Sequence, residues 1–269
     1  MTSLELKVAE SILHLLRDNP HLSNVVAASI RAGDKHSQLS SAMMQRFGSS
    51  PTFTGDGFAT THHVEFLADE SFRECYLSSW EGVSSKLLWE RDSFNLAWRA
   101  HICTWAAHKA ISIPGDFVEF GVWYGILSQI ICRWVKFEQH RDKVFFLFDT
   151  WGSLPGSHPS YQEDVYDIVV SRFKEYPNVR LVRGAVPNTL SAIDEVEKFA
   201  YVSIDMNSHL AERIALESVY HRVSPGGVIY FDDYGWNYPE LRHTINEFLL
   251  DKPERLLHFP SGQSILIKS

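Results

Sequence analysis

The sequence predicts an α/β fold: a doubly wound, mostly parallel sheet with an antiparallel C-terminal edge and a helical N-terminal extension. Three observations carry this. From residue 114 onward, short apolar runs alternate with helical patterns, and such alternation implies parallel strands covered by helices on both faces. The last two apolar runs, RLLHF (255–259) and SILIKS (264–269), are joined through PSGQ, the layout of an edge hairpin. The first ninety residues lack the alternation and begin on a helical repeat.

Residues 3–18 place Leu4, Val8, Ile12, Leu15 and Leu16 at helical spacing and read as an amphipathic helix. HLSNVVAASIRAG (21–33) fits a second helix. The stretch 37–63 is rich in Ser, Thr and Gly and reads as loop. Residues 67–90 hold apolar patches without a clean period. RDSFNLAWRAHICTWAAHKAIS (91–112) predicts a helix with Phe94, Leu96, Trp98, Ile102, Trp105 and Ala106 available for burial. The alternation then runs strand 116–121, helix 126–137, strand 144–149, helix 161–176, strand 179–184, helix 191–199, strand 201–205, helix 211–223, strand 227–233 and helix 239–251. This divides the chain into a helical lead-in or lid, 1–90, and an α/β domain, 91–269.

The 269 residues suffice for one large domain. A net charge of −8 argues against a nucleic-acid backbone as partner. No run of about 18 apolar residues exists to span a membrane, and the acids within MTSLELKVAESILHLLRDN do not suit a signal peptide. A cytoplasmic protein is the expectation. Cys75, Cys103 and Cys132 are widely spaced and odd in number, which suits reduced, buried thiols better than disulfides or a zinc site.

Ligands of open α/β sheets bind beyond the carboxyl ends of the strands. There the sequence places Glu119-Phe120-Gly121-Val122-Trp123-Tyr124-Gly125, then Asp149-Thr150-Trp151-Gly152, Arg183-Gly184, Asp205-Met206-Asn207 and Asp232-Asp233-Tyr234. Four of the five strands finish at or near an acid, too many to be helix caps alone. The first turn, with Gly121 and Gly125, lacks the full dinucleotide spacing but lets a ligand approach the backbone. Asp149, at the next strand end, can accept ribose hydroxyls. No phosphate-cradling loop is present. A ligand with an adenosine end and no phosphates fits, and S-adenosylmethionine is such a ligand, its positive charge suited to acids. Trp123, Trp151, Tyr234 and Trp236 lie on the same loops as candidates for stacking on an adenine or a sugar.

Asp232 and Asp233 adjoin in sequence, and Asp205 ends the preceding strand. If the strands are neighbours, three carboxylates meet, and a divalent cation would relieve their repulsion. Oxygen-only ligation suits Mg²⁺ or another hard cation.

These segments resemble the macrocin O-methyltransferase (TylF-like) family. IPGDFVEFGVWYG (113–125), FLFDTWGSLP (147–156), VRGAVPNTL (182–190) and above all SPGGVIYFDDYG (224–235) are similar to its motifs in order and spacing, over roughly residues 91–250. The resemblance implies a Rossmann-like class I fold and methylation of a hydroxyl on a sugar or other small natural product, with S-adenosylmethionine and Mg²⁺. It implies cofactor contacts at Glu119, Gly121 and Asp149, metal ligands at Asp205, Asp232 and Asp233, and Asp205 as general base. Val122, Trp123, Gly125, Thr150, Trp151 and Gly184, on the same strand-end loops, are further cofactor-binding candidates, and His209, where the family has Tyr, is a second candidate base. The family's Asp-Gly-Asp-x-Tyr-Glu-Ser stands here as Asp205-Met206-Asn207-Ser208-His209-Leu210-Ala211, so the acceptor side departs from the pattern. A small-molecule hydroxyl acceptor is the expected partner, without nucleic acid or membrane, and a homo-oligomer is allowed. The competing readings are a related cephalosporin-hydroxylase-like enzyme and a non-catalytic module binding S-adenosylmethionine or a partner.

Overall fold

The structure is a computed structural model describing residues 51–84, 95–152, 163–236 and 238–269, with 44, 48 and 88. The helices expected at 3–18 and 21–33 lie outside the described residues. The chain forms two units, residues 1–54 with 59–63, and residues 55–58 with 64–269. A two-stranded ribbon pairs β1 (Phe53–Gly55) with β2 (Phe58–Thr60) inside the stretch read as loop. The tight Gly-Asp-Gly turn between them is its local cause.

The larger unit is built on seven strands: β3 (Asp116–Phe120), β4 (Phe145–Asp149), β5 (Val179–Arg183), β6 (Phe199–Ile204), β7 (Val223–Phe231), β8 (Leu256–His258) and β9 (Ser264–Ile267). Their order is β5-β4-β3-β6-β7-β9-β8. The pairs from β5 to β7 are parallel, and β9 runs antiparallel to both β7 and β8. The chain winds outward from β3 to β5, returns, and winds the other way from β6. The switch point therefore lies between β3 and β6, where such sheets bind ligands.

Among the described residues, six α-helices accompany the sheet: α1 (Glu70–Ser78), α2 (Ala97–Ala110), α3 (Ile126–Val135), α4 (Tyr166–Phe173), α5 (His209–Val219) and α6 (Pro239–Leu249). Strand residues alternate between faces. Val118, Phe120, Val202, Ile204, Ile229 and Phe231 bury against Ala215, Leu216 and Val219 of α5 and Ile245, Phe248 and Leu249 of α6. The intervening residues form in-register rows on the other face, where α2 packs. One row reads Glu119, Ser203, Tyr230 across β3, β6 and β7. Phe66 packs edge-on against Trp98 and stacks on His101 of α2, and Phe72 meets both His101 and Trp134 edge-on.

Several boundaries differ from the sequence reading. SAIDEVEKF is not a helix: only Leu190–Ile193 makes a short 3₁₀ turn, and β6 already begins at Phe199. The cause is tertiary. Arg222 Nη1 donates to the carbonyls of Ile193 and Val196 at 2.7 and 2.9 Å, and the first of these oxygens is one that a helix over 191–199 would use internally. β7 starts at Val223, not 227, and ends at Phe231, so Asp232 and Asp233 lie just beyond it. Trp105, expected inside, is 47% exposed. Cys103 and Cys132 are buried free thiols, whereas Cys75 is only half-buried.

Candidate active site

The site begins where β3, β6 and β7 end side by side. Asp205 N–H donates to Phe120 O at 2.8 Å, and Asp232 N–H to Ile204 O at 3.1 Å. The ladders thus continue one residue past the strands and fix both acids by their backbones. Gly121 has φ +90°, and a Cβ there would collide with the Asp205 carbonyl. Only glycine allows the two loops to pass so closely.

The sequence-predicted trio comes together: Asp205, Asp232 and Asp233 each offer a carboxylate oxygen, all within 4.8 Å of one another. Sequence reasoning missed what stands behind them. Arg99, on α2 and 8% exposed, donates Nη1 to Asp232 Oδ2, and the same nitrogen lies 3.9 Å from Asp233. Its Nε and Nη2 clamp Asp56 at 3.1 and 2.8 Å. Tyr230 O–H donates to Asp232 Oδ1 at 2.5 Å. A signal for Arg99 existed, a cation between the apolar Ala97-Trp98 and Ala100 in the first turn of the helix. None announced Asp56.

Four carboxylates therefore face one guanidinium. Burial pushes Asp205 well above the usual carboxylate range, and Asp232 and Asp233 push it further, against the pull of Arg99. Burial also raises Asp232, opposed by Arg99 and by the Tyr230 hydroxyl. Asp233 is pushed up to about 7 by burial and Asp232. Arg99 stays charged: Asp232 and Asp56 outweigh the cost of its burial. This surplus of acid is what a hard divalent cation would neutralise, and the donor set is all oxygen. The residues fit such an ion.

Glu212, also missed, is 4% exposed and accepts the Met206 N–H at 3.1 Å, shaping the loop after Asp205. Burial pushes it up to about 7. His209 opens α5 in an exposed position and stays outside the acid trio. His243 is exposed on α6, 3.3 Å from Glu247.

The second half of the site is a set of interlocked loops. Asp149 Oδ2 accepts the N–H groups of Val122 and Trp123, both at 2.7 Å, while Oδ1 accepts that of Trp151 at 2.8 Å. The Thr150 hydroxyl lies 3.5 Å from Oδ1, and Gly184 N–H donates to Asp149 O at 2.9 Å. One carboxylate thus ties the first loop to the second. Trp123 and Trp151 adopt left-handed φ of 50° and 41°, uncommon for bulky residues and sustained by these bonds. The Trp151 indole is only 2% exposed and donates Nε1 to Trp123 O at 2.8 Å. It braces the loops and presents no open face for stacking. Tyr234 is likewise occupied, stacked on His258 and bonded to Asn246 at 2.7 Å. Gly125 caps α3 at φ +71°, where a Cβ would press on Phe173. Glu119 is buried below the loop and accepts Ser128 O–H at 2.7 Å. Burial pushes it up to about 8 despite that bond, with Asp232 and Asp149 adding to the rise.

A doubly wound sheet in this order, with interlocked loops and an acid trio at its switch point, defines a Rossmann-like α/β protein of the methyltransferase type. Residues 102–254, more than half of the chain, match the family described as Macrocin-O-methyltransferase (TylF), and the chain belongs to that family. Mycinamicin III 3''-O-methyltransferase from Micromonospora griseorubida is 28% identical over 158 residues, covering 51% of this chain and 61% of that protein. The match thus spans less than two thirds of that relative's length. Among solved structures, the O-methyltransferase NovP superposes with a TM-score of 0.54 at 21% identity, covering 64% of this chain and 79% of NovP. The calicheamicin methyltransferase CalS11 gives 0.50 at 15% identity, covering 77% and 94%. These two show the shared fold. Among the described residues, no helix is long and apolar enough to cross a membrane.

Proposed function

We propose that this protein transfers a methyl group from S-adenosylmethionine to a hydroxyl of a sugar or another small natural product, with a hard divalent cation such as Mg²⁺ at Asp205, Asp232 and Asp233. The observation that carries this is the convergence of those three carboxylates beside Gly121, at the switch point of a sheet belonging to this family. The mycinamicin relative's printed activity, a sugar-numbered O-methylation, supports the acceptor class.

When bound, S-adenosylmethionine supplies an electrophilic methyl group, and the cation supplies a Lewis acid that makes an acceptor hydroxyl more acidic. The chain's own residues do the rest. The 121–125 loop, held by Asp149, forms the floor of the cofactor site, and Asp149, with three of its about four acceptor positions taken by backbone N–H groups, keeps one on Oδ1 for a ribose hydroxyl. Asp205 sits at the border between that floor and the trio, in place to take the proton of the acceptor oxygen. His209, exposed and outside the trio, is the weaker candidate for base. Holding the oxygen in line behind the methyl carbon is the main catalytic contribution.

The test is calorimetric titration of S-adenosylmethionine and its demethylated product, followed by a methyl-transfer assay on a panel of glycosides with Mg²⁺ or chelator. Micromolar cofactor binding, about −8 kcal/mol, and a one-methyl mass gain lost with chelator are expected. Absence of cofactor binding would overturn the reading, and full activity in chelator would remove the cation from it.

A further inference from the structure

We propose that Asp56 is a positioning residue of the acid trio: it neutralises Arg99, so that this guanidinium can fix Asp232 without repelling a divalent cation from Asp205, Asp232 and Asp233. The inference rests on the reading of the trio as a cation site.

The geometry supplies each part. Asp56 is 1% exposed and occupies a turn at φ 44°. It takes the Nε–Nη2 edge of Arg99 in a two-point clamp, the geometry that suits a guanidinium and a carboxylate. Gln263 Nε2 approaches Asp56 Oδ2 at 3.3 Å, and Gln263 is itself braced by Ser261 at 2.5 and 3.1 Å. With that edge committed, Arg99 has Nη1 left to aim at Asp232, which Tyr230 holds from its other oxygen. Asp232 is thereby pinned from two sides by core residues.

The charges decide why a fourth acid is needed. A lone arginine in contact with Asp232 would fix that carboxylate but would also repel a cation. Paired with Asp56, Arg99 contributes no net charge, and the trio keeps its own. Asp56 stands outside the trio, so it acts through Arg99 and not as a ligand. Loss of the Asp56 charge therefore lowers cation affinity twice over, by releasing the clamp and by exposing the trio to an unbalanced arginine.

The experiment titrates Mn²⁺ into the chelator-stripped full chain, read by calorimetry and by the Mn²⁺ paramagnetic resonance signal. Thermal melting and S-adenosylmethionine affinity serve as controls of fold. Asp56→Asn is expected to weaken Mn²⁺ binding at least tenfold while cofactor affinity changes less than threefold, and Asp56→Glu is expected to recover part of the loss. Wild-type Mn²⁺ affinity in Asp56→Asn overturns the proposal, as does an equal loss in Asp56→Glu. Should Asp56→Asn fail to fold, the double variant Asp56→Asn with Arg99→Gln removes the pair and its opposite charges together, leaving Asp232 held by Tyr230 alone. Weaker Mn²⁺ binding in that variant supports the positioning role, and equal or tighter binding overturns it. A wild-type protein that binds no Mn²⁺ overturns the cation reading itself, an outcome distinct from any result on Asp56.

Discussion

Arg99 and Asp232 lie 133 residues apart in sequence and meet in a buried ion pair at the carboxyl end of β7. The pair answers the question raised by two adjacent aspartates at an apolar strand end. One of the two carboxylates, Asp232, is held from within by a cation, and the other completes the trio with an oxygen within 4.8 Å of those of Asp205 and Asp232.

Arg99→Met is expected to destabilise the protein by about 3–5 kcal/mol, because it strands Asp56 and Asp232 as buried carboxylates without their partner. Combining it with Asp56→Asn should restore part of the loss, since one unpaired charge is then removed. Urea unfolding of the two single variants and the double variant measures the coupling. Strict additivity would show that the pair does not act as a unit.

Asp205→Asn keeps the shape of the side chain and removes its basicity. Under the proposed function kcat should fall at least ~100-fold, while S-adenosylmethionine affinity stays within threefold. Steady-state kinetics beside calorimetry separates the two effects. His209→Ala should leave kcat within threefold, and a larger loss would move the base to His209.

Asp149→Ala removes the acceptor for three backbone N–H groups. A loss of about 1–3 kcal/mol in stability is expected, with weaker cofactor binding because the first loop is no longer tied to the second. Asp149→Asn, which keeps one acceptor oxygen, should fall between Ala and wild type. Amide exchange at Val122 and Trp123 should accelerate in both variants.

Gly121→Ala places a methyl group against the Asp205 carbonyl at a φ that L-residues avoid. The conformational penalty alone is about 1 kcal/mol, and the displaced Asp205 adds to it. Activity should fall more steeply than stability, since the residue that moves is the proposed base. Comparison of kcat with the thermal midpoint checks this.

Glu119 carries a pH signature. Its folded value, about 8, lies above its ordinary 4.5, so the folded protein binds the extra proton. Its contribution to stability is full below pH ~4.5 and is lost as pH rises toward ~8. Glu119→Gln should flatten that part of the profile of urea midpoints. Glu254 works in the opposite sense. Hydrogen bonds from Lys268, Tyr220 and Ser269 overcome its burial and pull it down to about 2. Its contribution is present above pH ~4.5 and lost as pH falls toward ~2, which Glu254→Gln should remove from the acid limb.

The sheet from residue 114 onward was legible because strand and helix periods are written locally, in which residues are apolar at every second or every third and fourth position. The acid trio was legible for a related reason. Strand ends are where such a fold binds ligands, and strands joined by one helix usually lie side by side. The sequence by itself therefore determined the alternation, the antiparallel edge and the meeting of Asp205 with Asp232 and Asp233. Only the tertiary structure decided what those acids lean on. The clamp of Asp56 on Arg99 joins residues 43 apart, and the capture of the Ile193 and Val196 carbonyls by Arg222 replaces a helix that local propensity favoured. The inward turn of Trp151 likewise depends on Trp123, 28 residues earlier. Such contacts depend on where loops bring distant groups together in a low-dielectric interior, where a buried charge or polar atom must find its partner. No local pattern encodes that.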